Sequence, residues 1–159
     1  MSENQSARAG GSFALASGAW QAGTTNTQPS NAAIVLFVVN GRQGSRSVTA
    51  AGYPWAITNP GGVQRHVGGT TRLYGLLLDA AGAVSMSQGA PVRTADLAAG
   101  SAALQAPPVP PDRAMAGMVR VSLTAGLDFS PGFDPLTTAG NRTVTFFNTM
   151  AAPSEPLRS

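Results

Sequence analysis

His66 is the only histidine in this chain of 159 residues, so any imidazole chemistry has to pass through it. A hydrolytic triad would set a serine and Asp79, Asp128 or Asp134 around that ring. No GxSxG elbow is present to expose such a serine, and His66, between Arg65 and Val67, reads as a surface or loop residue. Paired-carboxylate glycosidase chemistry has little to draw on, because the two glutamates, Glu3 and Glu155, lie near the termini. One histidine with scattered carboxylates is too few ligands for a histidine-based metal site. Asp128 and Asp134 fit no EF-hand spacing and read as polar turn residues rather than calcium ligands. The run GGTTR at 68–72 lacks the GK[ST] core of a phosphate loop and leads into a strand. With no cysteine there is neither a thiolate nucleophile nor a disulfide framework. The expectation is a non-enzyme with no catalytic, cofactor-binding or metal-binding residues.

Recognition through aromatic rings and arginines is the remaining chemistry. Trp20, Tyr53, Trp55 and Tyr74 are the rings able to build a sugar platform, and Tyr53-Pro54-Trp55 looks the most exposed because breakers flank it. Aromatic residues and arginines are enriched in interface cores, which makes Phe13, Trp20, Arg42, Arg46, Tyr53 and Trp55 the candidate interface residues. All ten basic residues are arginine. They are scattered rather than gathered on a stripe, so a net charge of +3 does not predict a nucleic-acid partner. Charged residues make up only 11% of the chain, against roughly 25% in typical domains. That low charge suits a surface made to be covered by neighbours. No secretion signal is visible, and the longest apolar run, residues 32–39, is far short of the ~20 residues that span a bilayer. No membrane partner is expected.

The elements that must position these residues read as all-β. Residues 1–30 are polar and Gly-rich and are expected to form an extended N-terminal arm. Either a neighbouring subunit or the chain's own body would have to hold such an arm. Its deletion to residue 20 is expected to leave the body folded. Residues 31–149 then form an antiparallel β-sandwich, jelly-roll-like, of seven to nine short strands, followed by a tail over 150–159. Ala33–Val39 is continuously apolar, as a strand buried on both faces would be, and ends at the turn pair Asn40-Gly41. Ser45–Ala50 is its expected partner, and Trp55–Thr58 is a further short run. Thr70–Leu78, the turn Asp79–Gly82 and Ala83–Gly89 form a hairpin whose return strand alternates Val84 and Met86 with serines. A short helix is expected within 94–105, interrupted by Gly100. The prolines of Ala106–Asp112 impose extended geometry and read as a stiff crossover between two sheets. Met118–Thr124 and Arg142–Asn148 close the set of strands.

Three stretches carry a resemblance: TTRLYGLLLDAAGAVSMSQGAPV (70–92), APPVPPDRAMAGMVRV (106–121) and LDFSPGFDPLTTAGNRTVTFFN (127–148). Their order of strand, Asp–Gly turn, return strand, Pro-rich crossover, strand, Pro-Gly loop and closing strand is similar to the small structural proteins of tailed bacteriophage virions. The likeness covers residues 70–149 and rests on turns and core positions. It implies a β-rich, oligomeric, non-enzymatic protein of the capsid, neck or tail, without a cofactor. Its partners would be the major capsid protein or neck and tail proteins, together with copies of itself. The first expectation from this likeness is a head decoration or cement protein, located in the virion, that binds and stabilises the shell. The other is a tail or neck adhesin that recognises host-surface glycan through Tyr53 or Trp55.

Overall fold

In the computed structural model, which describes residues 11–148, Asn40 and Gly41 have φ of 50° and 76°. Both are left-handed, as a two-residue type I′ hairpin turn requires. The described chain contains β1 (Phe13–Ala14), β2 (Trp20–Ala22), β3 (Pro29–Asn31), β4 (Val35–Val39) and β5 (Arg42–Arg46). These are followed by β6 (Thr70–Leu78), β7 (Val84–Gln88), β8 (Val92–Arg93), the helix α1 (Thr94–Ala98), β9 (Ala114–Leu123) and β10 (Arg142–Phe147). The strands fall into a three-stranded sheet in the order β1-β4-β5, a five-stranded sheet in the order β10-β9-β6-β7 with β8 also on β6, and the pair β2-β3. All of these pairings are antiparallel. This is an all-β sandwich, although sheets of three, five and two strands are not the paired four-stranded sheets of a jelly roll.

The core lies between the inner faces of the sheets. Val35, Phe37 and Val39 of β4 meet Tyr74, Leu76 and Leu78 of β6 and Val119, Val121 and Leu123 of β9 in one buried cluster. The expected hairpin is present, with Leu78 opposite Val84 and Tyr74 opposite Gln88. Asp79 holds its turn by accepting the backbone N–H groups of Ala81 and Ala83, both at 2.9 Å. At the other side of the sheet, the outer edge of β10 is capped. Arg142 exchanges backbone hydrogen bonds with Ala139, and the Thr138 hydroxyl accepts the Val144 N–H. That cap leaves little open ladder for another strand to join.

Several expectations change. Residues 11–30 are not an extended arm, because β1 pairs with β4 and the Trp20 ring is built into the core. The remaining arm residues, 1–10, and the tail 150–159 lie outside the described residues. The run 33–39 is not buried on both faces: from Val35 to Val39 buried positions alternate with exposed or half-exposed ones. Its partner strand starts at Arg42 rather than Ser45, since the two-residue turn returns the chain at once. Within 55–58, Ile57 makes a single parallel bridge to Met86. The helix stops after Ala98, just ahead of Gly100 with its φ of 71°, a common way for helices to end. The Pro-rich segment does not cross between sheets, because β8 before it and β9 after it both pair with β6. It runs over the five-stranded sheet instead, with Pro107 close to Gly75, where a Cβ would lie 3.3 Å from the proline ring and under 3 Å from Ser87 and Met115.

Candidate functional site

The loop 63–69 carries His66 into the interior, where it pairs with Phe129 in an antiparallel bridge. His66 lies in a loop, as one half of the expectation had it, but is fully buried, which corrects the other half, a surface residue. Its Nε2 lies 3.1 Å from the Thr70 carbonyl oxygen and its Nδ1 lies 3.1 Å from the Tyr74 hydroxyl. A carbonyl only accepts, so the proton belongs on Nε2 and the Tyr74 hydroxyl donates to Nδ1. Burial lowers the His66 pKa to about 4, and the nearby Arg72 guanidinium also lowers it, partly offset by the Thr70 hydrogen bond and the Asp128 carboxylate. Burial also pushes the Tyr74 hydroxyl well above its usual range. Arg72 is buried too. One terminal nitrogen donates to the Gln64 carbonyl at 3.1 Å, while its Nε has no partner.

This cluster fastens a loop rather than presenting reactive groups. The aspartates once considered as triad partners are engaged elsewhere. Asp128 accepts the Gly68 N–H at 2.9 Å and pairs with Arg65. The Gly68 hydrogen bond is the leading reason its carboxyl is held below the usual range. Asp134 accepts the Ser130 N–H at 2.7 Å, and Asp79 caps its own turn. Among the described residues, no three His, Asp or Glu side chains gather as a metal site would require. No helix among them is long and apolar enough to cross a membrane.

The candidate interface residues divide into two groups. Trp20 is in the core, its Nε1 donating to the Ala116 carbonyl at 2.9 Å. Tyr53 is buried as well, and its hydroxyl lies 2.5 Å from Asn31 Oδ1. Arg46 donates to the Tyr53 hydroxyl at 3.2 Å, and its guanidinium carbon sits 5.1 Å from the ring centre. Trp55 is half-buried, donates to the Thr27 carbonyl and meets Tyr74 edge-on. These four are committed to internal contacts. The breakers around 53–55 therefore mark a loop folded onto the body, and the expected exposure of Tyr53-Pro54-Trp55 does not hold for its rings. Phe13 and Arg42 reach the surface.

Phe13 belongs to a larger apolar face that the sequence reading did not delimit. It sits opposite Val38, while its neighbour Ala14 sits opposite Phe37 and points inward. By strand alternation Phe13, Leu15, Ile34, Leu36 and Val38 share the outer face of the three-stranded sheet. Leu15 is 44% exposed, Ile34 56% and Leu36 38%. The residues of β5 opposite Leu36 and Val38 are Ser45 and Gln43, so among the described residues this face carries no charge. A second missed feature is Phe133, 85% exposed at the tip of a loop anchored by the buried Phe129, Pro131 and Leu136. The signal for it was available in the sequence, since Pro-Gly precedes it and Asp-Pro follows. Comparison with protein-family models, curated proteins and solved structures finds no match.

Proposed function

We propose that this protein is a non-enzymatic virion component of a tailed bacteriophage, a head decoration or cement protein that attaches to the capsid shell and reinforces it. The observation that carries this reading is the uncharged apolar face of β1 and β4, where Leu15, Ile34 and Leu36 remain exposed. An apolar face of this kind on a soluble fold marks an interaction surface. The resemblance over residues 70–149 supplies the virion setting. The major capsid protein is the principal partner, with neck or tail proteins and other copies of this chain as further contacts. Nucleic acid, membrane and cofactor have no part in this function.

Glycan recognition by a tail or neck adhesin needs an open aromatic platform built on Tyr53 or Trp55. Tyr53 is buried and the Trp55 ring is held by its bond to Thr27, so the observations favour shell attachment. The test is binding of Leu36→Asp and Ile34→Asp variants to shells that lack the protein. Both should melt as the wild type does yet bind at least ~30-fold more weakly, the effect of removing an interface hot spot. Wild-type binding by both variants would overturn the reading.

A further inference from the structure

The loop from Phe129 to Leu136 is built to hold one aromatic ring in solvent. Phe129 packs among Trp55, His66 and Tyr74, and the Leu136 N–H donates to the Asn26 carbonyl at 2.5 Å. Between these anchors, Asp134 Oδ2 accepts the Ser130 N–H, and the Phe133 and Asp134 N–H groups donate to the Ser130 carbonyl. The tip is thus braced from both ends, and its ring is 85% exposed. A rigid exposed aromatic binds at a lower ordering cost than one on a slack loop.

The same chain also carries a receptor of matching character. An open depression of roughly 560 Å³ lies among Val67, Gly69, Arg93, Thr94, Ala95 and Leu123. Its walls are mostly apolar. Arg93 is exposed on its lining and takes part in no ion pair among the described residues. Asp134, next to Phe133, is likewise without an ion pair among them, and its Oδ1 is unused by the Ser130 bond. Charge and shape therefore agree: an aromatic ring beside a carboxylate on one side, an apolar depression with a guanidinium on the other.

We infer that copies of this protein associate by seating Phe133 of one copy in the depression between Gly69 and Ala95 of the next, with Asp134 meeting Arg93. A lipid surface is a poor occupant for this tip, because Asp134 would have to follow Phe133 toward the bilayer. The contact is separate from the apolar face of β1 and β4 and does not depend on the virion reading. Shell binding is scored with the Leu36 and Ile34 variants, so either proposal can fail alone.

The experiment is sedimentation of the full chain over a range of concentrations, for the wild type and for Phe133→Ser, Ala95→Arg and Arg93→Glu. Phe133 and Ala95 are both exposed, and unchanged far-ultraviolet dichroism and melting confirm that each variant is folded. Phe133→Ser and Ala95→Arg should each weaken association at least ~30-fold, the effect of losing a hot spot. Arg93→Glu should weaken it most at low salt, as expected for a partly exposed charge pair. An equal mixture of Phe133→Ser and Ala95→Arg should recover heterodimers, because the first keeps its depression and the second keeps its ring. A wild type that stays monomeric at the highest concentration reached would overturn the inference. So would undiminished association of folded Phe133→Ser, or a mixture with no heterodimer.

Discussion

Acidification from neutral pH should destabilise this fold chiefly through His66, with the depressed Asp128 carboxyl adding its own loss only at lower pH. His66 is the only histidine and sits neutral in the core, accepting from Tyr74 and donating to Thr70. Its pKa in the folded protein is about 4, against 6.5 for an unperturbed ring. The folded value is the lower one, so the unfolded chain takes up the proton first and stability falls as the pH drops. The contribution is nearly whole at pH 7, declines through the window between 6.5 and 4, and levels off below it. Integrating the linkage from pH 7 to about pH 4.5 gives a loss of about 2–3 kcal/mol. For a domain of this size that corresponds to a fall in Tm of about 5–10 °C. The assay is urea unfolding at a series of pH values, for the wild type and for His66→Gln, which cannot titrate. Gln loses the ring packing against Phe129 and Tyr74, so the variant starts lower at pH 7 by about 1–3 kcal/mol. Its stability should then vary far less over the window. A wild type equally stable at pH 7 and pH 4.5, or a variant with the same slope, would refute the buried neutral imidazole.

Three other outcomes follow from the packing. Gly117→Ala would place a methyl group 2.5 Å from Trp20 Cδ1, and this overpacking should cost about 1–3 kcal/mol in chemical denaturation. Trp20→Ala removes a buried ring and its bond to the Ala116 carbonyl. The expected loss is about 3–5 kcal/mol, seen as a lower denaturation midpoint. Deletion of residues 1–20 takes away β1 and Trp20 together, so the truncated chain should lose cooperative melting in calorimetry. The sequence-based expectation was a folded body without that segment.

How far the fold could be read from sequence depended on whether local chemistry or long-range packing decides each element. The hairpin of β6 and β7 was legible because alternation, Asp79 and Gly82 all act within a few residues. The Asn40-Gly41 turn was legible for the same reason. The outer face of β4 was hidden because VLFVV has no polar residue to reveal the alternation. Which residues face out is decided by packing of its inner face on β6 and β9. The segment around Trp20 looked like an arm because its polar composition conceals the one ring that seats in the core, held by backbone atoms 96 residues away. The burial of His66 was hidden because its partners, Tyr74 and Phe129, are brought to it by the five-stranded sheet and the 129–136 loop. Of the candidate interface residues, Trp20 and Tyr53 were drawn into the core and Trp55 against it by the same apolar character that makes rings good anchors, while Phe13 stayed on the outer face. Phe133 escaped because the loop on either side of it supplies the buried anchors.

The most direct test of the account is the position and copy number of this protein in intact virions, determined by labelling or particle reconstruction. A decoration protein should occur in many copies over the head surface, with the β1–β4 face turned toward the shell. A few copies confined to the tail or neck, or a β1–β4 face turned to solvent, would contradict it.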